Sequence, residues 1–215
     1  AFRHWSTYAI AGALLLVSIA SLSFIGKVSQ PVRDTARHPL HQMADGLAYV
    51  RRNRLVQGAI TLDLFAVLLA GTTALLPVYA RDILRVGPTG LGHLAAAPAV
   101  GAAATALWFA FRPLKTEVGI KMLVAVIVFG LATIVFGATA FMPVPWAMPV
   151  ALVAMIVWGS ADMFSVFVRQ TLVQIYTPDE MRGRVGSVSQ VSVSASNELG
   201  EAESGFLAAL IGPVA

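Results

Sequence analysis

The sequence predicts an all-α membrane protein, a polytopic bundle of six transmembrane helices. Hydrophobic residues make up 57% of the 215-residue chain and charged residues only 12%, which is more apolar surface than a soluble core of this size can bury. Six apolar runs of roughly 20 residues or more punctuate the chain, each long enough to cross about 30 Å of hydrocarbon. Because lipid offers the backbone no hydrogen-bond partner, each run is expected to be helical.

The runs follow one another with short interruptions. They cover approximately Trp5–Ile25, Leu55–Ala80, Leu91–Phe111, Lys121–Phe141, Ala147–Thr171 and Val185–Ile211. The first run has no convincing basic leader and five more runs follow it, so it is interpreted as a span rather than a signal peptide. Both ends of the chain look truncated, and the first run is interpreted as a span cut short.

The distribution of lysine and arginine predicts how the runs cross the membrane. Eleven of these residues lie in or beside the loops after the first, third and fifth runs, against three on the opposite side. Basic residues favour the cytoplasmic side. The loops at 27–54, 112–120 and 176–184 are therefore predicted to be cytoplasmic, with the N-terminus outside. The same bias explains the net charge of +4, and no motif indicates a nucleic-acid partner.

The long polar segment after the first run leaves two interpretations open. Leu40, Met43 and Leu47 recur at helical spacing, which favours a short amphipathic helix on the inner membrane face. The alternative is a solvated linker with basic anchors. His38 and His41 lack a third ligand, so no metal site is predicted, and the absence of cysteine excludes disulfides.

The loop before the last run carries a helix-start signal. Thr177 is predicted as an N-cap, with Pro178 in the first turn and Glu180 completing a capping box. A short helix is expected to begin here and to turn at Gly183 before the last span. Arg182 and Arg184 are expected to pair with carboxylates of a neighbouring loop or with lipid phosphate.

Charged residues inside the apolar runs are the first functional candidates, because each costs at least about 2.5–3.5 kcal/mol near the bilayer centre. Asp63 and Asp162 are interpreted either as cavity carboxylates that take up a proton or contact a cation, or as structural hydrogen-bonding groups. Arg169 either reaches the cytoplasmic interface or pairs with a carboxylate of another helix. Gln170 and Gln174 lie one turn apart nearby and could add hydrogen bonds.

The last run is too polar to be surrounded by lipid. Two of its faces are predicted to line a wet cavity. One reads Ser187, Gln190, Ser194, Glu198 and Glu201, and the other reads Ser189, Ser192, Ser196, Gly200 and Glu203. An apolar stripe at helical spacing covers another side. The two glutamates are a like-charge pair, which either serves proton-coupled transport or is a solvated pair near the outer mouth. Asn197 is a further cavity-lining candidate.

Several stretches resemble the major facilitator superfamily of transporters, and in particular its branch of enterobactin exporter-like bacterial secretion and efflux proteins. The stretches that carry the resemblance are Leu62–Leu68, Arg169–Gln174, Thr177–Val185 and Ala195–Glu201. One departure is the loop at 112–119, where the family's glycine- and arginine-rich motif is degenerate and Glu117 stands in for its acidic member.

The resemblance implies helices six to eleven of a twelve-helix fold. Residues 1–26 would be the last helix of the N-terminal half, 27–54 the central cytoplasmic loop, and 55–215 an incomplete C-terminal half. It further implies a bacterial inner-membrane, proton-coupled exporter of small molecules, of siderophore or drug type, that works by alternating access with the missing N-terminal half and needs no cofactor. The loop residues expected at a cytoplasmic gate are Glu117, Asp179, Glu180, Arg182 and Arg184.

Two other functions stay open at this point. The chain could be a truncated or non-transporting membrane scaffold, because these six runs do not make a complete transporter. A membrane-embedded enzyme is disfavoured, since no His-Glu-x-x-His, Gly-x-Ser-x-Gly or phosphate-binding loop is present.

Overall fold

The computed structural model describes residues 4–24, 39–68, 72–112 and 118–212, and all regular structure in these ranges is helical. The all-α prediction is therefore confirmed for the described residues. The helices are α1 (His4–Ser23), α2 (Pro39–Arg52), α3 (Arg54–Leu68), α4 (Thr72–Val78), α5 (Gly87–Phe111), α6 (Val118–Ala138), α7 (Val144–Tyr176) and α8 (Asp179–Ile211). The chain divides into two compact units, Ala1–His38 and Pro39–Ala215.

Four stretches of the described residues are long and apolar enough to span a membrane. They are Arg54–Ile83, Gly87–Phe111, Val118–Phe141 and Pro145–Tyr176. The first predicted run forms α1, whose apolar part Tyr8–Ser23 is shorter than a full span. The last run lies within α8, which has 33 residues but is not among the apolar stretches. A membrane helix bundle is thus supported, while the count of six stays a prediction.

Helix α7 is the centre of the second unit and packs against α5 on one side and α6 on the other. The contact with α5 is a backbone approach, because a Cβ added to Gly101 would overlap the Ile156 carbonyl oxygen. A Cβ on Gly159 would overlap the Pro98 carbonyl oxygen in the same way. Small residues allow helices to approach this closely, so Gly101 and Gly159 define the crossing of α5 and α7.

The chain changes helix type just after Pro77, which lies inside α4. A π-helical turn follows α4 over Tyr79–Ile83, and the Leu84 amide donates to the Tyr79 carbonyl oxygen at 2.9 Å. This widened turn supplies the hydrogen bonding that a proline disturbs in a regular helix. The Tyr79 hydroxyl lies 2.9 Å and 2.8 Å from the carbonyl oxygens of Phe136 and Gly137, which ties the turn to the end of α6.

The predicted capping box before the last run is wrong. Thr177 is extended, its buried hydroxyl has no hydrogen-bond partner among the described residues, and Pro178 occupies the N-cap position instead. The amides of Met181 and Arg182 bond to the Pro178 carbonyl oxygen. The threonine therefore lies one residue too early to cap.

The expected turn at Gly183 is also absent, because α8 runs unbroken from Asp179 to Ile211. This glycine has open space around it, and an isolated glycine is tolerated inside a helix at a cost of roughly 1 kcal/mol. Nothing in its surroundings forces the chain to leave the helix.

Helix α2 confirms the helical interpretation of the segment around Leu40–Tyr49. It packs on the start of α8, where a Cβ on Gly46 would lie 2.8 Å from the Arg184 carbonyl oxygen. The Tyr49 hydroxyl donates to the Tyr176 carbonyl oxygen at the end of α7. The described part of this segment is therefore a helix fastened to the α7–α8 junction; residues 25–38, including His38, lie outside the described residues.

Candidate functional site

A buried ion pair joins α3 to α7. Arg169 Nη1 lies 3.2 Å from Asp63 Oδ2, and the two side chains are only 4% and 3% exposed. The Ser165 hydroxyl donates to Asp63 Oδ1 at 2.8 Å. Of the two interpretations of Arg169, the structure therefore shows a pair with a carboxylate of another helix rather than a side chain at the interface. Burying two charges is costly unless they are paired and hydrogen bonded, which is what Ser165 provides.

A polar cavity of about 340 Å³ lies beside this pair. Helices α3, α4, α6, α7 and α8 each contribute to its wall. The polar lining residues are Asp63, Thr73, Asp162, Arg169, Asn197 and Glu201. Phe129 and Trp158 form an aromatic part of the wall, with ring centroids 4.8 Å apart. Four of the five predicted coupling candidates thus meet around one cavity.

The cavity wall contains more carboxyl groups than basic groups. Asp63 is paired with Arg169, whereas Asp162 and Glu201 take part in none of the ion pairs of the described helices. Glu201 accepts a hydrogen bond from the Thr73 hydroxyl at 3.0 Å. Asp162 lies one turn before Ser165 and two turns before Arg169, so α7 presents these three residues along one stripe.

Two buried donors at the cavity have no acceptor. Arg169 Nε and Trp158 Nε1 are both fully buried and form no hydrogen bond with the described residues. A buried unsatisfied donor costs about 1–3 kcal/mol. Because both nitrogens are buried, they can gain an acceptor only if the neighbouring side chains rearrange.

The remaining cavity candidates lie outside this cavity. Gln170, Gln174, Gln190, Ser194 and Glu198 are all exposed and none lines it. Asn197 and Glu201, two of the predicted candidates, line the cavity together with Val193. Gly200 lets α8 approach α3 here, because a Cβ on this residue would lie 2.8 Å from the Val67 carbonyl oxygen.

The loop candidates form local surface pairs. Arg182 Nη1 lies 2.7 Å from Asp179 Oδ1, and Arg182 Nε donates to the Gln174 carbonyl oxygen at 3.1 Å. Arg184 pairs with Asp45 of α2 at 3.2 Å. Glu180 is exposed. Glu117 lies outside the described residues.

Sequence reasoning missed four residues of the site. Ser165 lies three residues after Asp162 and four before Arg169, so helical spacing alone could have placed it on the same face. Trp158 lies one turn before Asp162, so helical spacing could have placed it on that face as well. Thr73 and Phe129 reach the cavity only because of how α4 and α6 pack, and no local pattern marks them.

Long apolar stretches that enclose a polar cavity with a buried ion pair are the features of an integral membrane transport protein. Comparison with known proteins agrees with this class. The family model of the Major Facilitator Superfamily matches residues 2–200. The chain belongs to the Major Facilitator Superfamily, a family of membrane transporters.

The curated relatives are bacterial exporters. The chain is 27% identical over 208 residues to "Enterobactin exporter EntS" of Escherichia coli O1:K1 / APEC. It has the same identity to the proteins of that name from Escherichia coli O157:H7 (strain EC4115 / EHEC) and Shigella boydii serotype 18 (strain CDC 3083-94 / BS512). Each match covers 97% of this chain and 48% of the relative, so the chain spans about half the length of the curated relatives it matches. No solved structure matches the chain.

Proposed function

We propose that this chain is the C-terminal part of a proton-coupled exporter of small molecules in a bacterial inner membrane. The family and the printed name of its relatives support export, with a substrate of siderophore or drug type. In this proposal the chain supplies helices six to eleven, and an N-terminal half forms the opposite wall of the polar cavity. The arginine-rich loops at 27–54, 112–120 and 176–184 face the cytoplasm, as the distribution of basic residues predicts.

The observation that carries the proposal is that two aspartates and one arginine line the same cavity. Asp63 holds Arg169 across the α3–α7 contact, while Asp162 lines the same cavity without a basic partner among the described residues. A lone carboxylate among membrane helices is costly to keep charged. We assign Asp162 the role of proton carrier and the Asp63–Arg169 pair the role of holding α3 against α7.

The unused donor of Arg169 links these two roles. An arginine presents five N–H donors in a fixed fork, and the buried Nε of Arg169 has no acceptor among the residues that the structure describes. When Asp162 has lost its proton it can compete with Asp63 for the guanidinium. Proton loss would then weaken the α3–α7 contact, which is a physical route from proton movement to alternating access.

The test is substrate accumulation inside inverted membrane vesicles that contain the whole gene product, because an exporter moves its substrate into the lumen of such vesicles. With an imposed proton gradient we expect the substitution Asp162→Asn to abolish gradient-driven transport while leaving substrate binding measurable. Glu203→Gln is the matched control, because Glu203 is an exposed carboxylate of α8 that does not line the cavity. It should transport at the wild-type rate.

Two results would overturn the proposal. Gradient-driven accumulation in vesicles that contain the Asp162→Asn protein would exclude Asp162 as the proton carrier. If the wild-type protein transports nothing under a gradient while remaining folded, a non-transporting membrane scaffold would be the better description.

A further inference from the structure

A second recess of about 410 Å³ lies between α5, α6 and α7. We call it the apolar groove; its wall includes Val124 and Val128 of α6 and Val157 and Phe164 of α7. It is lined by the side of α6 that carries Val124 and Val128, whereas Phe129 lines the polar cavity. The two recesses therefore use different sides of the α6–α7 layer and differ sharply in polarity.

The packing of α5 on α7 fixes one end of the groove. The two helices approach to backbone contact at Gly101 and Gly159. Thr105, one turn further along α5, and Ser160 of α7 already line the groove. The groove therefore begins where the tight crossing ends, and it belongs to the rigid packing of the bundle rather than to a loose loop.

The hydroxyls in the groove wall are already used. Thr105 Oγ1 donates to the Ser160 carbonyl oxygen at 3.3 Å, and Ser160 Oγ donates to the Ile156 carbonyl oxygen at 2.9 Å. The rest of the wall is almost entirely aliphatic or aromatic. The groove therefore suits a hydrocarbon chain rather than a polar solute, since a polar solute would lose its hydration without new hydrogen bonds.

One charge lies at the end of the groove. Lys121 is in the first turn of α6 and lines the groove, and it is the single charged residue in the described wall. An ammonium group carries three donors on a flexible stem, so it can bind a phosphate oxygen at the membrane surface while its stem lies along apolar side chains.

We propose that the apolar groove binds one anionic phospholipid of the leaflet on the side where α6 begins. An acyl chain lies along Val124 and Val128, and the phosphate group lies against Lys121. The distance along α6 from Lys121 to Val128 is about 10 Å at 1.5 Å per residue, so the headgroup and the upper part of one acyl chain span the groove. This site is separate from the polar cavity and does not depend on the transport proposal.

The absence of cysteine makes a site-specific test simple. We would make the single substitution Val124→Cys in the groove and, as a matched control, Leu123→Cys. Leu123 is the neighbouring residue, 49% exposed against 52% for Val124, but it does not line the groove. Each cysteine is labelled with bimane and the protein is reconstituted in bilayers with brominated phosphatidylglycerol or brominated phosphatidylcholine. Quenching then reports lipid at each position.

We expect phosphatidylglycerol to be preferred over phosphatidylcholine by about fivefold at position 124 and by less than about twofold at position 123. One basic residue near an anionic headgroup contributes ~1 kcal/mol, which is about a fivefold ratio. Adding Lys121→Gln to the Val124→Cys protein should remove the preference, and Lys121→Arg should keep it. Millimolar inorganic phosphate should displace nothing, because a free phosphate lacks the chain.

Equal preference at positions 123 and 124 would overturn the proposal and leave ordinary boundary lipid. An unchanged preference in the Lys121→Gln protein would overturn the role of the lysine, and loss of quenching with inorganic phosphate would overturn the lipid as the ligand. The Val124→Cys protein with native Lys121 already tests the site on its own, so a folding defect in a lysine variant leaves the test intact. Far-ultraviolet circular dichroism shows whether each variant keeps its helical content.

Discussion

Breaking the Asp63–Arg169 pair from one side should be the most damaging single change in the bundle. The pair is 3.2 Å long and both side chains are at most 4% exposed. Removing one partner of a buried pair leaves an uncompensated charge and costs roughly 3–5 kcal/mol. We therefore expect Asp63→Asn and Arg169→Gln each to lower the free energy of unfolding by about that amount.

The double variant Asp63→Asn/Arg169→Gln should be much less damaged than the sum of the two single changes. It leaves no buried charge, and neutral replacements of a buried pair are often close to neutral in stability. Ser165→Ala should cost less than either single change at the pair, about 1.5–3 kcal/mol, the range for one hydrogen bond to a charged group. The quantity to measure is thus the coupling free energy between Asp63 and Arg169, from the double-mutant cycle of the two single variants and the double variant.

The assay is equilibrium unfolding of the purified chain in mixed micelles with increasing dodecyl sulfate, followed by far-ultraviolet circular dichroism. Arg182→Gln is the control, since its pair with Asp179 is half exposed or more on both sides and should contribute less than about 1 kcal/mol. Single variants that each lose less than about 1 kcal/mol, or a double variant that loses the full sum, would refute the reasoning.

Three further predictions concern packing and exposed pairs. Gly101→Ala should destabilise the bundle by about 1–3 kcal/mol or more, the range for overpacking, because the new Cβ meets a backbone oxygen. Gly130→Ala is the control in the same unfolding assay. Gly130 has open space around it, so this change should be neutral or slightly stabilising. Trp158→Phe should cost little, because it removes a buried donor that has no acceptor among the described residues, and a loss above about 2 kcal/mol would show that the indole has a partner. Arg184→Gln should release α2 from α8 by breaking its pair with Asp45, which faster proteolysis in that segment would show; unchanged proteolysis would mean that apolar packing alone holds α2.

The residues that sequence reasoning placed well are those with a strong energetic reason to be unusual. A charge inside an apolar run is costly wherever the helix packs, so Asp63, Asp162 and Arg169 stand out from the sequence alone. The existence of long helices follows in the same way from apolar run length. These inferences depend on local composition and on the solvent, not on tertiary contacts.

The orientation of α8 could not be predicted in this way. Its serines, glycines and glutamates occur on several sides, so the pattern does not select one polar face. Packing selects it: Gly200 meets the backbone of α3, and α8 then presents Asn197 and Glu201, but not Glu198, to the cavity. The N-cap prediction at Thr177 is wrong because the helix starts one residue later, with Pro178 at the N-cap position.

The contacts of α7 also differ in a way that bears on motion. Its contact with α5 is a backbone approach at Gly101 and Gly159, which leaves no room for sliding. Its charged contact with α3 is one ion pair supported by one serine, and a change of charge in the cavity acts on that pair directly. If the bundle changes shape during transport, α3 should therefore separate from α7 while α5 moves together with α7. Only the α3–α7 contact depends on a charge that proton exchange can alter.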